Sequence, residues 1–106
     1  MSHRVVLGPR AEAELSEIAS WLASRSTDGA LRWLEAFEVA KESLTTMPHA
    51  GEVAPESDYL NIEVRQITFK TRSGRRYRLL YSVVDSDARI LHIRGPGQPN
   101  LTSDEF

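Results

Sequence analysis

Pro48 separates two stretches of different hydrophobic period, and that break limits the fold more than any other feature of the chain. Before it, apolar residues recur at helical spacing. Ala11, Leu15, Ile18 and Leu22 form one stripe, and Trp33, Phe37, Ala40, Leu44 and Met47 form a second. Gly8-Pro9 opens the first helix, because proline at the first helical position has no hydrogen bond to lose. Ser24 to Gly29 is turn chemistry, with Ser26, Thr27 or Asp28 available to cap a second helix over about residues 28–47. Val5, Val6 and Leu7 read as a short strand ahead of both helices.

After Pro48 the period becomes two. Residues 49–60, with Gly51, Pro55, Ser57 and Asp58, read as a loop. Ile62 and Val64 alternate, the phase slips at Gln66, and Ile67 and Phe69 resume it, which predicts a bulged strand. Tyr77 to Val84 and Arg89 to Arg94 follow as strands, joined by Asp85-Ser86-Asp87, with Ser73-Gly74-Arg75 as the preceding hairpin turn. Leu79, Tyr81, Val83, Leu91 and Ile93 are expected to face the helices, with Arg78, His92 and Arg94 facing away. The expected architecture is α+β in the order β-α-α-β-β-β, a helical hairpin packed on a small, mainly antiparallel sheet. At 106 residues it is one domain, 1–106, with about 95–106 as a tail.

Composition matters here mainly through charge. Residues 1–64 hold five Lys/Arg against eleven Asp/Glu, whereas residues 65–94 hold eight Lys/Arg against Asp85 and Asp87. A cationic face on an acidic protein is therefore expected, suited to phosphate or to an acidic partner. The chain has no cysteine, its three histidines are scattered, and Glu12, Glu14 and Glu17 read as a solvated helix face, so neither metal nor cofactor is expected. No apolar run is long enough to cross a bilayer, and the first residues lack a signal-peptide core, so a cytoplasmic location without membrane contact is expected.

Four segments in order resemble the RelE/ParE toxins of bacterial type II toxin–antitoxin systems. They are Val5 to Leu15, Ala30-Leu31-Arg32-Trp33-Leu34, Leu44-Thr45-Thr46-Met47-Pro48-His49-Ala50-Gly51, and Tyr77 to Asp85 followed by Ile90-Leu91-His92-Ile93. The resemblance spans about residues 4–98. It implies a growth-arresting toxin in a hetero-oligomer with a cognate antitoxin encoded next to it. In the ParE-like branch the target is DNA gyrase, and the protein is an inhibitor rather than an enzyme. In the RelE-like branch it is a metal-independent endoribonuclease that cuts mRNA on the ribosome. A non-toxic nucleic-acid-binding module is the third reading.

For the ribonuclease branch the resemblance implies Arg78, Lys70 and Arg72 as catalytic residues, with His92 as the proton-transfer group. Arg65, Arg75, Arg76 and Arg94 are the candidates for binding phosphate or antitoxin. The tail lacks the Lys and Arg of ribosome-cleaving members, and Phe106 stands where those members carry a tyrosine. Those departures and the acidic first half favour the gyrase branch. Arg78 is expected to lie outside the core, so that its loss changes folding little, unless it pairs with Glu63 or Asp85.

Overall fold

The computed structural model describes residues 2–106. A strand β1 (Arg4–Leu7) leads into helix α1 (Pro9–Arg25) and helix α2 (Thr27–Thr46). A two-residue strand β2 (Glu52–Val53) and a 3-10 turn (Pro55–Tyr59) precede strands β3 (Arg65–Phe69), β4 (Tyr77–Val84) and β5 (Asp87–Arg94). The sheet order is β1-β5-β4-β3-β2. β1 is parallel to β5 and every other pair is antiparallel, so the α+β expectation of a helical hairpin on a mainly antiparallel sheet is met.

Ser26 makes the tight link between the helices. Its N–H donates to Leu22 O at 2.8 Å, ending α1, while its hydroxyl accepts from Gly29 N at 3.0 Å, starting α2. One residue thus satisfies orphan groups of both helices. The hairpin lays its stripes on one sheet face, where Trp33, Phe37, Phe69 and Tyr77 form an aromatic cluster with ring centroids 5.3–6.1 Å apart. Leu44, Leu79, Tyr81, Ile90 and Ile93 complete this core. A second, smaller core lies on the far face, where Ala54, Val64, Leu80 and Leu101 are buried and Leu60, Leu91 and Phe106 pack around them. The segment after β5 therefore folds back over the sheet, ending in a 3-10 turn (Ser103–Glu105).

Several expectations need correction. Met47 is 59% exposed and caps α2 rather than extending its stripe, because Pro48 ends helical geometry one residue earlier. The stretch read as a loop contains β2, whose two residues pair with Gln66 and Arg65. Ile62 is half exposed and outside any strand. The irregularity expected at Gln66 lies instead in β5, where Leu80 pairs with His92 and Tyr81 with Ile90, leaving Leu91 without a partner. That extra residue lets Ile90 and Ile93 both reach the helix side, while Leu91 joins the far-face core.

Gly51 sits where the loop after α2 crosses the sheet. Its N–H donates to Tyr81 Oη at 3.2 Å, and that hydroxyl donates to Pro48 O at 2.7 Å. A Cβ at Gly51 would lie 2.5 Å from Tyr81 Oη and 2.7 Å from the backbone oxygen of Gln66. Gly51→Ala should cost about 1–3 kcal/mol through this overlap, read by urea unfolding. Val39→Ala on exposed helix surface should stay within about 0.5 kcal/mol.

Candidate functional site

The far face is built around one buried carboxylate. β4 brings Arg78 opposite Thr68 on β3 and opposite Arg94 on β5, so two arginines occupy paired positions across strands. Like charges so placed repel unless compensated. The compensation comes from Glu56, which Pro55 starts on a single 3-10 turn above them. Arg78 Nη1 donates to Glu56 Oε1 at 3.0 Å and Nη2 to Oε2 at 2.8 Å, a two-point pair, and Nη1 also reaches Gln66 Oε1 at 2.8 Å. Glu56 is completely buried, and its Oε2 accepts the Leu101 N–H at 3.0 Å. Burial alone would push its carboxyl up. The Arg78 bonds and the Leu101 N–H outweigh that and hold it down at about 2.

Arg78 was expected to lie free of structural duty or to pair with Glu63 or Asp85. It pairs with neither: Glu63 holds Arg65 at 3.0 Å, and Arg78 belongs to Glu56. Arg78 is therefore a structural arginine paired with a residue other than the two expected.

His92 is the second internal group. Only 3% of it is exposed. Its Nδ1 lies 3.0 Å from Glu14 Oε2 and its Nε2 lies 2.7 Å from Glu105 O, with the Phe106 ring edge-on at 4.9 Å. Glu14 is consequently no solvated residue. Its other oxygen accepts the Ile93 N–H at 2.9 Å, on the edge of β5 that runs past the end of β1. Glu12 and Glu17 are exposed as expected.

The remaining cations do not form one face. Arg65 donates to the carbonyls of His49 and Gly51 and fastens the loop after α2. Arg94 donates to Pro99 O at 2.8 Å. Lys70, Arg72, Arg75 and Arg76 are exposed around the β3–β4 hairpin, with Arg76 donating to Thr68 Oγ1. Of these, Arg75 lines a cleft of about 660 Å³ between the α1–α2 link and the β3–β4 hairpin. Trp33, Tyr77 and Leu22 give the cleft an apolar wall and Arg32 a second cation. Trp21, 53% exposed with the Arg25 guanidinium 4.5 Å from its ring centroid, stands at the same cleft. Such a cleft suits an apolar anchor carried between acidic side chains.

Sequence reasoning missed Glu56 and misassigned Glu14. Neither carries a periodic signal, since each acts on a strand residue far along the chain. The one hint is the charge surplus of residues 65–94, which demands an acid from elsewhere. Among the described residues no cluster of three or more His, Asp or Glu is placed to hold a metal, and no helix is long and apolar enough to cross a membrane.

A family model described as the ParE toxin of the type II toxin–antitoxin system, parDE, matches residues 5–97. No curated protein matches the chain.

Glu56→Gln should destabilise the protein by about 3 kcal/mol at neutral pH, because it leaves the Arg78 charge uncompensated. The native carboxyl sits below its unfolded value. Its stabilisation is thus complete above about pH 5 and is lost as the pH falls toward about 2. Denaturant unfolding across that range should show a shallower acid limb in the variant than in the parent protein.

Proposed function

The chain belongs to the ParE toxin family of type II toxin–antitoxin systems, and from that premise we propose that it arrests growth by binding DNA gyrase as a protein inhibitor, without cutting RNA. An antitoxin partner follows from the family itself. The observation that carries the choice of target is the commitment of Arg78 and His92 to the fold. RNA cleavage through a 2′-hydroxyl needs a free group to move the proton and a free cation for the phosphorane. Arg78 cannot turn to a phosphate without stranding the buried Glu56 carboxylate, and His92 has both ring nitrogens engaged away from solvent. Lys70, Arg72, Arg75 and Arg76 stay available as cations, but no histidine stands among them for proton transfer.

The cleft beside Trp21 is the surface assigned here to the antitoxin. An acidic segment with apolar anchors would bury its apolar wall and pair with Arg32 and Arg75 at the rim. The pair is a cytoplasmic hetero-oligomer in this reading, since both gyrase and the antitoxin's site of synthesis lie there.

Purified protein added to gyrase should block DNA supercoiling, and prior mixing with the antitoxin should restore it. In a translation extract the same protein should leave mRNA intact. Codon-phased mRNA cleavage beside unimpaired supercoiling would reverse the assignment to the ribonuclease branch. Replacing Arg32 and Arg75 together with Glu should weaken antitoxin binding about tenfold or more, measured by calorimetry, without lowering thermal stability.

A further inference from the structure

The end of the chain is held against the far face by a contact whose proton count does not balance for a neutral histidine. A neutral imidazole donates through one nitrogen and accepts through the other. His92 nevertheless faces two groups that can only accept when Glu14 is ionised: Glu14 Oε2 at Nδ1 and the Glu105 carbonyl at Nε2. Both contacts are made only if one further proton sits in the site, on the ring or on the carboxylate. The His92 ring is buried, with Phe106 against it and Leu101 buried beneath the same segment, while Glu14 stays partly exposed.

The surrounding charges do not supply that proton. From α1, Glu14 receives the Ile93 N–H, and Arg10 donates to the same Glu105 carbonyl. From β5, Arg94 is engaged by Pro99 O. From the segment itself, the Glu105 carboxylate accepts from the Thr102 N–H and hydroxyl, and Asp104 also accepts from that hydroxyl. β4 places the uncharged Leu80 opposite His92. On the 3-10 turn, Glu56 is paired with Arg78 of β4, and the Tyr59 hydroxyl donates to Leu101 O.

We infer that residues 101–106 form a strap over the far face, latched by one exchangeable proton shared between His92 and Glu14. Docking the strap takes up that proton. Docking is therefore strongest at low pH and weakens as the pH rises between about 5 and 9. Glu56, which also holds the strap through Leu101, titrates far lower and stays ionised throughout this range.

The test is amide hydrogen exchange, corrected for its intrinsic pH dependence, between about pH 5 and pH 9. Protection of the Leu101, Thr102, Glu105 and Phe106 amides should fall several-fold with rising pH, bounded by about tenfold per pH unit for a single proton. The Leu79 and Tyr81 amides of β4 report global stability and should not follow. E14Q is the decisive variant. Its side-chain amide oxygen still accepts the Ile93 N–H, while its amide nitrogen donates to the Nδ1 of a neutral His92, leaving Nε2–H for the Glu105 carbonyl. The strap in E14Q should stay protected at neutral and alkaline pH and should show no fall in protection as the pH rises. Flat protection in the parent protein, a parallel change in β4, or an E14Q strap that loses protection with rising pH as the parent does would each overturn the latch.

Discussion

A carboxylate taken completely out of water must be matched, and Glu56 is matched by three separate pieces of chain. Arg78 meets it from β4, the Leu101 N–H from the strap, and its own 3-10 turn holds it above the sheet. Desolvation penalises the ion, while the two-point guanidinium pair and the backbone donor outweigh that penalty. The far face is therefore organised by electrostatics, with Val64, Leu80 and Leu101 filling in around the pair. The helix face is the opposite case, because Trp33, Phe37, Phe69 and Tyr77 hold it together without any charge. The two sides of one sheet rest on different physics.

That division follows what each segment could reveal by itself. The helical hairpin was legible because a stripe such as Trp33, Phe37, Ala40 and Leu44 is a property of consecutive turns. β4 was legible because Leu79 and Tyr81 alternate with Arg78 and Leu80. What stayed hidden depends on partners far along the chain. β2 exists only because Glu52 and Val53 meet Gln66 and Arg65. The bulge falls at Leu91 rather than Gln66 because cross-strand register, not local pattern, decides which residue is left over. The arginines of residues 65–94 were visible, but the acid that engages Arg78 sits in a Pro-Glu-Ser-Asp stretch that looks like any surface loop.

The same reasoning separates the family resemblance from the site it implied. Arg78 and His92 occupy strand positions that the RelE-like branch would use for chemistry, and the fold uses both for cohesion. Four exposed cations remain at the β3–β4 hairpin, and Arg75 there shares a cleft with Trp21 and Arg32. The proposed recognition surface and the structural charge thus lie at different places, although residues 65–94 contribute to both.

The parallel pairing of β1 with β5 carries a consequence for the order of events at synthesis. Arg4 is bound to Asp87 by two side-chain bonds across 83 residues, and Leu7 lies beside Ile90. The strand emerging first from the ribosome waits for the strand emerging last, with a loop closure that long sequence separation makes slow. A nascent chain can form its helical hairpin early, but the sheet that positions Arg78 and Arg94 stays open until β5 has emerged. Folding of this kind makes the hairpin available well before the sheet that it covers.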